Sequence, residues 1–134
     1  MNSIENAVIT AAYNALQSKY PGIPVYSDAT TETPVFPCVS IYEIDNAAAR
    51  DTLDTSRIEK YSDVAYQIDV YSNAESGRKA QCKDIIEIID DTLTGCGLTR
   101  TSIVRTPNLG DNNIYRLTAR YSARVGKDNT VYRR

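Results

Sequence analysis

Three carboxylates, Glu87, Asp90 and Asp91, crowd one short stretch of the chain. A pair of carboxylates can divide acid and base work when burial separates their pKa values. These three lie opposite the apolar stripe Ile86, Ile89 and Leu93, so the spacing predicts a solvated helix face rather than a catalytic pair. The chain has no histidine, which removes the commonest general base and the usual serine and cysteine triads. It also lacks a Walker-type loop and a dinucleotide-binding glycine pattern; Gly95 and Gly97 follow a helix, where a phosphate loop would precede one. Neither enzyme activity nor a cofactor is expected. Cys38, Cys82 and Cys96 are odd in number, sit inside apolar patterns and have no histidine to complete a zinc site, so they read as reduced, mostly buried thiols.

A second constellation is basic. From Asn113 to Val125 the chain alternates strictly, with Ile114, Arg116, Thr118, Arg120, Ser122 and Arg124 on one side and Tyr115, Leu117, Ala119, Tyr121, Ala123 and Val125 on the other. The row Arg116, Arg120, Arg124 has two readings. It is a sheet face kept polar against aggregation, or an electrostatic wall whose field sums when several copies form a ring around DNA. The ten tyrosines, beside one phenylalanine and no tryptophan, offer rings that could stack bases. Tyr115 and Tyr121 face away from the arginines, however, which favours tyrosines that pack a sheet.

At about 3.3 Å per residue the strand 113–125 would run about 43 Å, well beyond the usual strand of about six residues, so it is expected to overhang its own sheet. Such a strand points to a protein that joins something. The 15 basic and 17 acidic residues give a net charge of -2, which argues against a dedicated nucleic-acid coat or a polybasic membrane anchor. Met1 to Ile9 carries no basic region followed by an apolar run, and no window approaches the ~18 apolar residues of a membrane span. The expectation is a soluble, unexported chain with no membrane partner.

The 134 residues suit one domain over 1–126, followed by a polar tail over 127–134 in which Val131 and Tyr132 offer a short edge segment. Asn2 with Glu5 resembles a capping box, and Ile4, Val8, Ile9, Ala12 and Leu16 predict a helix over 3–20 closed by Pro21 and Gly22. A weak strand over 23–27 and a threonine-rich loop over 29–34 follow. Residues 36–44 and 64–71 alternate as two strands that should pair antiparallel. Between them, 45–63 is polar and charged, a loop or projecting hairpin arm whose Arg50, Asp51, Asp54, Arg57 and Lys60 are candidate assembly contacts.

Ser72 with Glu75 offers a second cap, and Cys82, Ile85, Ile86, Ile89 and Leu93 predict a helix ending at Gly95 and Gly97. Residues 98–106 read as a strand with Leu98, Arg100, Ser102 and Val104 on one face, and a Pro, Gly and Asn-rich turn over 107–112 leads into the long strand. The order α-β-β-β-α-β-β predicts an α+β two-layer sandwich, a mostly antiparallel sheet of 4–6 strands with two helices on one face.

The ordered set YQIDVYSN (66–73), a Gly-Arg-Lys helix start, CGLTR (96–100) and TPNLGDNNIYRLTARYSARV (106–125), with FPCVSIYEIDN (36–46) in its expected place, resembles the tail-terminator or tail-completion proteins of long-tailed phages and prophage-derived tail particles. The resemblance implies a structural virion protein, assembled in the host cytoplasm. It would form a hexameric ring with itself on the completed tail tube, stop polymerisation and present a surface to the head connector. Its implied partners are the tail tube protein, head-tail connector proteins, and DNA only as it passes through the lumen. A head-completion or neck connector protein of the same particle and a small nucleic-acid-binding module are the alternatives.

Overall fold

The computed structural model describes residues 4–27, 36–48, 61–106, 114–126 and 131–132. Helix α1 spans Glu5–Gln17, strand β1 Val25–Tyr26, β2 Cys38–Ala48, β3 Tyr61–Ser72, helix α2 Arg78–Gly95, β4 Thr99–Arg105, β5 Tyr115–Gly126 and β6 Val131–Tyr132. The strands form one sheet in the order β1-β2-β3-β5-β4, with β6 pairing β5. Among the described residues only β1 runs parallel to its neighbour, β2; every other pairing is antiparallel. The architecture is the expected α+β sandwich.

Both helices lie on one face. On α2 the residues at helical spacing, Cys82, Ile85, Ile86, Ile89 and Leu93, are buried, and on α1 so are Val8, Ala12 and Leu16. They close over Val64, Tyr66, Ile68 and Val70 of β3 and Leu117, Ala119, Tyr121, Ala123 and Val125 of β5 in a single core. Each fully buried Ile or Leu contributes about 1.5–3 kcal/mol. At their C-terminal and central turns the helices are tied by Asp84, which accepts hydrogen bonds from Lys19 Nζ at 2.9 Å and Tyr20 Oη at 2.6 Å.

The predicted Ser72 cap of α2 does not form. Residue Ile4 occupies the N-cap of α1, and Asn2 lies outside the described residues. Glu5 accepts the backbone N–H of Glu43 at 2.6 Å, so its carboxylate anchors the helix to β2. Helix α2 starts after Gly77, whose φ of 76° is a left-handed conformation that costs glycine nothing. The Ser72 hydroxyl accepts the N–H of Ala74 and donates to Gln81 Oε1, bridging the end of β3 to the new helix.

The long strand does not overhang. β3 is as long as β5 and pairs with it along its whole length, from Tyr61↔Gly126 to Ser72↔Tyr115. On the other side β4 covers Leu117 to Ser122 and β6 covers Arg124 and Val125. β5 is therefore an interior strand, and its length is spent within its own sheet. Strand β4 also departs from simple alternation. Its register shifts between Arg100 and Ser102, so Arg100 and Ile103 both face the helix side while Ser102 and Val104 share the opposite face.

Candidate functional site

The face of the sheet away from the helices carries the arginine row. Register places Asp63 opposite Arg124, Gln67 opposite Arg120, Asp69 opposite Thr118 and Tyr71 opposite Arg116. Period-2 alternation then brings the side chains of these pairs together above the same surface.

Asp69 is the hub of this surface. It is 1% exposed, yet its two oxygens are fully engaged. Oδ1 accepts from Arg116 Nε at 3.1 Å and Thr118 Oγ1 at 2.6 Å, and Oδ2 accepts from Tyr42 Oη at 3.1 Å and Gln67 Nε2 at 3.2 Å. Burial alone would push its pKa up. The bonds from Arg116, Thr118 and Gln67 outweigh that and hold the carboxyl below its ordinary value. Burial likewise works against the Arg116 cation, but the bond to Asp69 more than compensates and raises its pKa. Burial, reinforced by the Asp69 charge, pushes the Tyr42 phenol up to about 12, so it stays a donor. Arg116 also sits over the Tyr71 ring, 5.5 Å from its centroid.

The three arginines are therefore not equivalent. Arg116 is paired with Asp69, and Arg124 is paired with Asp63 through Nε–Oδ1 at 3.0 Å and Nη2–Oδ2 at 3.4 Å, a two-point contact. Arg120 is exposed and donates through Nε to the neutral Gln67 Oε1 at 3.2 Å. Gln67 is itself oriented, since its Nε2 donates to Tyr42 Oη at 2.7 Å as well as to Asp69. The row thus presents one exposed cation, flanked by two that are locally neutralised.

The tyrosines nearest the arginine row are committed to packing and hydrogen bonding. Tyr121 and Tyr66 are fully buried on the helix side, as the alternation requires. Tyr42 and Tyr71 share the arginine face, where Tyr42 is bonded to Asp69 and Tyr71 is only 7% exposed; the half-buried Tyr26 and Tyr61 lie on that face at its margins.

On the opposite face, Asp90 departs from the expected solvated position. It accepts the Tyr121 hydroxyl at 2.6 Å and pairs with Arg100 Nη1 at 3.1 Å, at the junction of α2 with β5 and β4. Burial first, then the bond to Asp90, pushes the Tyr121 pKa far up. Glu87 and Asp91 are exposed as expected. Cys38 and Cys82 are buried, whereas Cys96 is exposed, because it lies at the C-cap of α2 beyond the core stripe. Burial raises the Cys38 thiol pKa to about 11 and the Cys82 thiol to about 12. Among the described residues no group of three or more His, Cys, Asp or Glu is placed to hold a metal ion, and no helix is long and apolar enough to cross a membrane.

The candidate arm contacts Arg50, Asp51, Asp54, Arg57 and Lys60 lie outside the described residues. The ends of the expected 45–63 loop or arm are instead sheet, since Asp45 to Ala48 belong to β2 and Tyr61 to Asp63 to β3, with Ala47↔Asp63 and Ala48↔Ser62 the last β2–β3 partners among the described residues. What the sequence reading missed are the partners of the arginines, Asp63, Gln67 and Asp69. They lie on one strand, 61–72, yet only knowledge of which residue faces which across β3 and β5 would have joined them to the row.

The profile of the tail completion protein gp17 family matches residues 6–133. The comparison with curated proteins gave no match. Among solved structures, a chain of the "Virion of native gene transfer agent (GTA) particle" is similar in fold, with a TM-score of 0.57 at 17% identity over 94% of this chain and 99% of the other.

Proposed function

The chain belongs to the tail completion protein gp17 family and is a structural component of a phage-type tail; from there we propose that it caps the finished tail tube as a ring of its own copies. In that position it stops tube polymerisation and offers the joining surface for the head connector. The observation that carries this reading is the family match across 6–133. The similar fold of a chain from a gene transfer agent virion supports it.

The arginine face suits the wall of a passage for DNA. A wall bearing three uncompensated cations per copy would hold the phosphate backbone, whereas pairing with Asp69 and Asp63 leaves Arg120 as the exposed charge. A ring of six such copies guides a polyanion without binding it tightly. The segment between Ala48 and Tyr61, with Arg50, Asp51, Asp54, Arg57 and Lys60, is the proposed arm that reaches a neighbouring copy or the tube.

Particles assembled without this protein test the role directly. Overlong tail tubes are the expected result. Filled heads separated from tails of normal length would assign the protein to the neck instead. Light scattering of the purified chain with tail tubes should find a ring of about six copies, the closed symmetry expected of such an assembly; a monomer that ignores tubes would remove the proposal.

A further inference from the structure

Arg120 stands among unengaged hydrogen-bond donors on the outer face of the sheet. Its Nε is bonded to Gln67 Oε1, which leaves Nη1 and Nη2 without a partner among the described residues. Register puts Ser102 of β4 directly opposite Arg120, and Ser122 follows two residues on, on the same face of β5. Both serines are half-buried, and neither hydroxyl is bonded among the described residues. Side chains directly opposite lie about 5 Å apart and those two residues along a strand about 7 Å apart, so one small group can touch all three. The neighbouring carboxylate, Asp69, is already filled by four donors and offers Arg120 no counter-charge.

We propose that Arg120, Ser102 and Ser122 form a site for one phosphodiester group of passing DNA, and that Gln67 is its positioning residue. This rests on the reading of the face as the wall of a DNA passage and names the group that the wall touches. The two terminal nitrogens of a guanidinium match a pair of anionic oxygens in its plane. A carboxylate is satisfied by that fork and leaves the serines idle. The two unesterified oxygens of a phosphodiester take the fork and still accept hydroxyls from beside it, and Arg with Ser or Thr is the usual company of a backbone phosphate.

The aim of the fork is set by the adjoining strand. Gln67 Nε2 donates to Tyr42 Oη at 2.7 Å and to Asp69 Oδ2 at 3.2 Å, so its Oε1 is turned toward Arg120 and accepts Nε at 3.2 Å. On the other side Thr101 Oγ1 donates to the Arg120 carbonyl at 3.2 Å and fixes the backbone beneath the side chain. A long, exposed side chain is thereby oriented before its ligand arrives, which lowers the entropy lost on contact. One such site per copy suits brief contacts with a moving polyanion.

Arginine Nε–Hε resonances of the isotopically labelled full chain read the site directly. A short DNA duplex at low salt should shift the Arg120 resonance and the Ser102 and Ser122 amides and leave Arg116 and Arg124 unmoved. Dimethyl phosphate should reproduce that shift, and acetate should not. Arg120→Lys keeps the charge and loses the fork, so it should leave the log–log salt slope near about one and weaken duplex binding about fivefold, as should Ser102→Ala combined with Ser122→Ala. Gln67→Met, in chains that circular dichroism shows to be folded, should weaken binding to a similar extent and merge the Arg120 resonance with those of freely exchanging guanidinium groups. Tyr42→Phe, which removes one of the two bonds that turn the Gln67 amide, should act in the same direction. Arg120→Lys binding as tightly as wild type would reduce the site to a plain charge and overturn it. An Arg120 resonance that ignores dimethyl phosphate, or follows acetate equally, would overturn the phosphodiester assignment. An unchanged Arg120 resonance in both Gln67→Met and Tyr42→Phe would overturn the positioning role. A chain that binds as expected yet forms no ring on tail tubes would remove the passage reading and leave the site; rings that form while Arg120 ignores DNA would remove the site and leave the ring.

Discussion

Arg116 of β5 and Asp69 of β3 meet at 3.1 Å on the exposed face of the sheet, with the carboxylate 1% exposed and the arginine side chain 26% exposed. The pair is asymmetric. Arg116 keeps access to water, whereas Asp69 depends wholly on its partners. Removing the arginine leaves a buried anion held only by Thr118, Gln67 and Tyr42. Arg116→Gln should therefore destabilise the fold by about 3 kcal/mol, the lower end for a broken buried pair because the arginine is only partly desolvated. Asp69→Asn should cost a similar amount, since the guanidinium loses its counter-charge. Denaturant unfolding followed by far-UV circular dichroism measures both.

The same pair sets an acid limit. The folded-state pKa of Asp69 is held below its ordinary value, so the unfolded chain takes up its proton first as the pH falls. The contribution is present in full above the unfolded value of about 4 and is lost as the pH drops through the lower folded value. Asp84, also lowered, by its bonds from Tyr20 and Lys19, acts in the same direction. Midpoints of urea unfolding should be flat near neutrality and fall below about pH 4, and Asp69→Asn should flatten that fall.

Arg120 should behave differently from the other two arginines. It is exposed, and its bond is to a neutral amide. Arg120→Gln should change stability by no more than about 0.5 kcal/mol, against a clear loss for Arg116→Gln. In assembled rings the same substitution should make DNA retention less sensitive to salt, lowering the log–log slope by about one for each phosphate that Arg120 neutralises. A large stability loss at Arg120 would contradict the division of the row into one exposed and two paired cations.

Tyr121 links the sheet to α2 through its 2.6 Å bond to Asp90, which Arg100 also holds. Tyr121→Phe keeps the ring in the core and deletes that bond to a charged acceptor. The expected cost is about 1.5–3 kcal/mol. Asp90→Ala should cost at least as much, since it strands a buried hydroxyl; a neutral result would return Asp90 to the solvated face that its spacing in the helix first implied.

Thiol chemistry gives a direct reading of burial. A polar aromatic disulfide reagent at pH 8 should modify Cys96 promptly in the folded protein and leave Cys38 and Cys82 until unfolding, because those two are buried with pKa values of about 11 and 12. Prompt reaction of all three would refute the packing of α2 on β3.

Much of this architecture is legible in the residues because periodicity is local. The 3.6-residue stripe of α2 fixes which of its residues are buried, and the two-residue alternation of 115–125 fixes which face takes the arginines and which takes Tyr121. Cys96 and Asp90 escape that reading for a shared reason. Both belong to the helix by spacing, but their surroundings depend on where α2 ends over the sheet and on which strands lie beneath it. The shift in β4 is equally invisible, since an extra residue in one strand is defined only by its partner.

The layers, the element order and the polar character of the outer face follow from the order of the amino acids alone, because burial of apolar area acts on patterns a few residues long. That the long strand lies inside the sheet, and that its arginines meet Asp69, Gln67 and Asp63, is settled only when the whole chain packs. Backbone ladders form equally well at many offsets, so the register that turns a row of three cations into one exposed charge and two ion pairs follows from packing the sheet beneath two helices.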